Sequence, residues 1–158
     1  MVGKIIAGFI VVSALIIGAL TYYFQVHYYY ETVAEPVGAY EIQMTSLVSG
    51  QPEEILVENF QGIDASSAPV RFRGCFTTPL SLSMLTETFV MFDKAEPRTG
   101  PNWFDCYDAK AIGAALESGE AIGFMGQENF TDGFDRVIAV YPDGRAFVWH
   151  QPNEKYEE

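Results

Sequence analysis

A chain of 158 residues, 49% of them apolar, holds one ordinary domain and one further element, and is too short for two full domains. Its 21 Asp and Glu against 9 Lys and Arg give a formal charge of -12, which argues against nucleic acid, because a phosphate-binding surface needs clustered cations. A charge-steered partner is therefore expected to be basic, and the 15% of aromatic residues excludes extended disorder.

The first element is the apolar run IIAGFIVVSALIIGALTYYF at residues 5–24, twenty residues without a formal charge. At about 1.5 Å of rise each, such a run spans roughly the 30 Å hydrocarbon core of a bilayer. A cleaved secretory signal has an apolar region of about 7 to 15 residues followed by a small-x-small site. The nearby sites are poor, since Gly18-Ala19-Leu20 puts a large residue at the cut and Thr32-Val33-Ala34 lies well past the run. Tyr22, Tyr23, Phe24, Tyr28, Tyr29 and Tyr30 read as an interfacial belt, with His27 an interfacial side chain among them. Residues 1–30 are thus expected to be a retained transmembrane anchor in contact with the lipid bilayer.

Lys4 precedes the span and no Lys or Arg follows it until Arg71, so the positive-inside rule puts the amino terminus in the cytoplasm and the domain across the membrane. Gly3, Ala7, Ala14 and Gly18 recur along one helical seam of the kind that lets two helices approach. Pro36 and Gly38 make residues 31–38 a connector, and residues 39–158 the extracytoplasmic domain.

Within the domain, Tyr40, Ile42 and Met44 alternate with polar residues as a half-buried strand does. Ile55 and Val57 predict a second strand, and Val70, Phe72, Gly74 and Phe76 a third, with Arg71, Arg73 and Cys75 on its other side. Thr78 as cap and Pro79 at the first helical position predict a helix to about Phe89. After the loop DKAEPRTGPNW, the pattern Ala111, Ile112, Ala115 and Leu116 predicts a helix capped by Asp108 and closed at Gly119. Two β-rich runs around Pro142-Asp143-Gly144 predict a terminal hairpin. The fold class is α+β: one N-terminal transmembrane helix, then a small domain with an antiparallel sheet and about two helices.

Cys75 and Cys106 are the only cysteines. Outside the cytoplasm they favour a disulfide, whose loop of about 30 residues restricts the unfolded chain by roughly 3.6 kcal/mol. The alternative is a pair of buried thiols. A sharper alternative is thiol chemistry in which His150 serves Cys75 or Cys106 as base, although an imidazole between Trp149 and Gln151 in a strand is more simply structural. No CxxC, HxxxH or Cys-His spacing predicts a metal. Asp105 and Asp108 read as helix-capping groups. Arg71 and Arg73 read as an outward positive spot paired with local carboxylates, or less simply as an anion contact. No phosphate loop, nucleophile elbow, kinase set or dinucleotide fingerprint occurs, so no cofactor is expected.

With MVGKII, ALTYYFQVHYYYE, RFRGCFTTPLSLSMLTETF, WFDCYDA, ALESGEAI and YPDGRAFVWHQ in this order, the chain resembles an uncharacterised family of alphaproteobacterial single-span proteins. The resemblance implies a bacterial inner-membrane protein with a small periplasmic domain and brings no assigned activity. The expected role is a non-enzymatic accessory protein whose domain contacts a membrane or envelope protein; the alternatives are the thiol-dependent domain above and a small-ligand sensor.

Overall fold

The computed structural model describes residues 1–157. The chain divides after Tyr30 into two compact units. The first is the helix α1 (Val2–Tyr23), continued by a π-helical turn at Phe24–Tyr28. Together they make 27 residues long and apolar enough to cross a membrane, with no side chain buried. A helix apolar on every side needs either a protein core or lipid around it, and within its own unit this one has no core. At its carboxyl end the rings pack on one another, Phe24 edge-on to Tyr28 at 5.2 Å and Tyr23 stacked on His27 at 5.8 Å.

The second unit is built on a six-stranded antiparallel sheet of order β1-β4-β5-β8-β7-β6. The strands are β1 (Glu31–Val33), β4 (Glu58–Asp64), β5 (Arg73–Thr77), β6 (Ile122–Thr131), β7 (Phe134–Val140) and β8 (Arg145–Pro152). A two-stranded ribbon, β2 (Gln43–Thr45) with β3 (Pro52–Glu54), forms a second, separate sheet. The expected hairpin is β7–β8. Gly144 turns it with φ +89, and Asp143 Oδ1 accepts from the Arg145 amide. Every residue of β7 is buried, so both faces of the sheet centre are covered.

On one face, Phe72, Phe76, Ile138, Val140, Ala146 and Val148 pack against Ile42, Met44 and the helix α2 (Leu82–Thr88) through Leu85. On the other, Cys75, Val137, Ala139 and Trp149 pack against Tyr107 and the helix α3 (Ala109–Ser118) through Ile112. Residues 90–92 close the β6 edge: the Phe92 amide donates to the Gly123 carbonyl, the Met125 amide to Val90, and the Val90 amide to Thr45 of β2. Gly123 is required there, since a Cβ would lie 2.5 Å from the Phe92 carbonyl oxygen. A short helix α4 (Glu154–Glu157) follows β8.

Several sequence expectations need correction. Residues 31–33, expected in the connector, are the edge strand β1, paired in register with residues 62–64 of β4. Tyr40 ends a 3-10 turn (Gly38–Tyr40), leaving only Gln43–Thr45 as strand, and Ile55 and Val57 lie between β3 and β4. The helix after β5 starts later than Pro79, because the Thr78 amide is tied to the Gly144 carbonyl; Ser81 becomes the cap, accepting from Met84. The α3 expectation holds, with Asp108 Oδ1 accepting from Lys110 and Ala111 at 3.0 and 3.1 Å and Gly119 left-handed at φ 78.

Because Asp108 satisfies two amides at once, Asp108→Ala is expected to destabilise the folded unit by about 1 kcal/mol. Glu117→Ala on the exposed side of α3 should cost less than about 0.5 kcal/mol; denaturant unfolding of the full chain in detergent micelles compares them.

Candidate functional site

β5 places its side chains on alternate faces, and with them most of the residues of chemical interest. Arg73 and Cys75 point to the second face, Phe72 and Phe76 to the first. Cys75 meets Cys106 with their sulfurs at disulfide-bonding distance, Cα atoms 6.3 Å apart and a sequence separation of 31. Arg73 is not on an outward face. It is buried, with Nε donating to the Arg98 carbonyl, Nη2 to Thr99, and Nη1 to Val70 and Phe72, while its guanidinium lies over the Tyr107 ring at 5.8 Å. Arg71 ends the 3-10 turn Pro69–Arg71 before the strand begins.

His150 lies on the first face. In β8 it alternates with Trp149, which packs on the disulfide side, so the sheet separates the imidazole from both sulfurs. What surrounds His150 instead is a polar cluster that opens into a cleft of about 430 Å³. Arg136, beside it on β7, donates from Nε to His150 Nε2 at 3.0 Å, from Nη1 to the Glu41 carbonyl at 2.9 Å and from Nη2 to the Ala39 carbonyl at 2.8 Å. Its guanidinium lies 5.4 Å from the Phe72 ring and 5.3 Å from the Phe130 ring. His150 lies between the same two rings, tilted to each, with centroids at 4.9 and 3.9 Å. At the cleft wall the Tyr40 hydroxyl donates to Asp64 Oδ2 at 3.1 Å, and the Ala65 amide holds Asp64 Oδ1 at 2.8 Å.

These contacts fix the chemistry of the imidazole. Since Arg136 Nε is always a donor, His150 Nε2 accepts, so the proton sits on Nδ1 and is donated to the Pro69 carbonyl at 2.8 Å. Both nitrogens are engaged, which leaves no lone pair for a general base. Burial, reinforced by the Arg136 charge, pulls its pKa down to about 3. Burial also lowers Arg136 to about 10 and raises Asp64 above the usual carboxylate range. Among the described residues, no group of three or more His, Cys, Asp or Glu is placed to hold a metal ion.

The chain belongs to DUF6446. It is a family of unknown function, matched over residues 42–158. No curated protein and no solved structure matches the chain. In this DUF6446 chain the family match begins at Ile42, just after the Ala39 and Glu41 carbonyls that Arg136 holds, and takes in the whole six-stranded sheet except β1.

The expected Cys75–Cys106 pair is brought together, His150 is not brought to either cysteine, and Tyr40, Asp64 and Arg136 were missed as a group. A signal existed for one of them. In DRVIAV, Arg136 shares its side of the strand with Ile138 and Val140, and a cation at an apolar position of a period-2 pattern has a buried partner. The small-residue positions Gly3, Ala7, Ala14 and Gly18 are exposed along α1, and a Cβ added at Gly3 or Gly18 would meet nothing within 4 Å.

Two outcomes follow from this geometry. His150 titrates near 6.5 when unfolded and near 3 when folded, so the unfolded chain binds the extra proton between those values. Its stabilising contribution is therefore full above pH 6.5 and is lost as pH falls toward 3, at no more than about 1.4 kcal/mol per pH unit. His150→Gln should flatten that part of a stability-against-pH curve. Separately, Cys75→Ala with Cys106→Ala should lower stability by about 3 kcal/mol, measured by denaturant unfolding without reductant.

Proposed function

We propose that this chain is a membrane-anchored accessory protein whose folded unit works by contact with a partner on the far side of a bacterial inner membrane. One observation carries the reading: a 27-residue apolar helical segment with none of its side chains buried, which is stable in lipid and not in water. The positive-inside rule supports a cytoplasmic amino terminus through Lys4. The Cys75–Cys106 pair supports an oxidising compartment for the domain. Confinement beside a bilayer raises the effective concentration of a modest binding surface.

The polar interior favours contact over catalysis. Arg73 and Arg136 hold carbonyls of covering segments, and the one imidazole of the folded unit has both nitrogens occupied. A second reading, a small-ligand sensor, is supported by the cleft beside Tyr40 and Asp64.

The full chain is expected to stay with membranes in alkaline carbonate, and its domain to be digested by protease added to spheroplasts but not to intact cells. Crosslinking in intact membranes should then join the domain to a reproducible protein neighbour. Release by carbonate, or protection of the domain in spheroplasts, would overturn the reading.

A further inference from the structure

Between Phe92, whose amide helps close the β6 edge, and α3 runs a segment without helix or strand, residues 93–108, laid over the second face of the sheet. Its first half is held by polar ties. Gln151 donates from Nε2 to the Lys94 carbonyl at 3.1 Å and accepts from the Glu96 amide at 2.8 Å. Arg73 donates to the Arg98 and Thr99 carbonyls at 2.9 and 3.0 Å. In the second half the backbone bonds are local, from the Phe104 amide to the Pro101 carbonyl and from the Tyr107 amide to the Phe104 carbonyl. There the tie to the sheet is covalent, from Cys106 to Cys75 of β5.

This closure has an internal opponent. Among the described residues, two buried side-chain atoms lack a hydrogen-bond partner, Tyr107 Oη and Arg98 Nε, and both belong to residues 93–108. Tyr107 is 6% exposed, and burial pushes its hydroxyl well above the usual phenol range. Arg98 reaches Glu96 through Nη2 at 3.2 Å, which leaves Nε unmatched. A buried donor without an acceptor forfeits its hydration, so each of the two favours a segment lifted into solvent. The sheet need not follow. Among the described residues, neither its ladder nor the core of the first face includes any part of the segment.

We propose that the Cys75–Cys106 disulfide is a redox latch: reduction by a dithiol frees residues 98–108 from the second face, with the Gln151 ties to Lys94 and Glu96 as the hinge, while the sheet stays folded. A thiolate of the dithiol attacks Cys106 Sγ, on the more exposed of the two residues, and Cys75 leaves as thiolate. The second thiolate of the dithiol then attacks its own sulfur in the mixed disulfide and releases Cys106. The dithiol loses two electrons and two protons and becomes a disulfide, and the two cysteines gain them as thiols. Lifting the segment bares Arg73, whose guanidinium the Tyr107 ring covers at 5.8 Å, and so changes the face offered to a neighbour. The latch belongs to the folded unit alone and rests neither on a partner nor on the placement of the membrane.

The test is hydrogen–deuterium exchange of the full chain in uncharged detergent micelles at pH 7, oxidised and after dithiothreitol, with alkylation confirming two free thiols. Reduction is expected to speed exchange of the Phe104 and Tyr107 amides by about tenfold or more, and that of β7 and β8 by less than about twofold. Tyr107→Phe removes one unmatched donor and keeps the ring, so it should cut that acceleration to less than about half. Should Tyr107→Phe not fold, Arg98→Met removes the other and is expected to do the same. No change across residues 98–108 after full reduction, equal acceleration across β7 and β8, a bond that dithiothreitol leaves intact, or undiminished opening in the variant that folds would each overturn the proposal.

Discussion

The fold depends on one constraint: a sheet whose central strands are buried on both faces must be covered twice, and helices supply only part of the cover. α2 and α3 are short, so most of what lies over β7 and β8 is irregular chain carrying carbonyls that no ladder satisfies. Each face meets this with one buried arginine. Arg136 gathers the carbonyls of Ala39 and Glu41 on the first face, and Arg73 gathers those of Val70, Phe72, Arg98 and Thr99 on the second. Gln151 does the same nearby, accepting from the Glu96 amide and donating to the Lys94 carbonyl. A guanidinium suits the task because its donors spread in a plane and its charge persists at any ordinary pH.

The inward use of arginine has an electrostatic consequence. With two of the few cations committed to the interior and Lys94, Lys155 and Arg145 paired with neighbouring acids, the surface is left more acidic than composition alone conveys.

What the sequence disclosed was whatever has a local cause. The apolar run, the hairpin at Pro142-Asp143-Gly144, and α3 between Asp108 and Gly119 are all encoded within a few residues of themselves. What it concealed depends on partners far away in the chain. β1 is three residues with no apolar alternation, and exists because β4 offers it an edge. β4 and β6 mix polar residues into irregular registers, so neither shows a clean period. Arg73 looked exposed because strand alternation tells which residues share a face, and not whether a loop returns to cover that face. The Tyr40, Asp64, Arg136 and His150 cluster draws on four segments, and only the anomalous position of Arg136 betrayed it.

The strand order carries a further consequence for how the protein is made. The hairpin β7–β8 lies between β5 on one side and β6 on the other. Each of those two strands lacks its inner neighbour until residues 134–152 are in place, so completion of the ladder waits on long-range closure. Emerging in sequence order, the folded unit would thus stay open through the centre of its sheet until both strands of that hairpin had appeared.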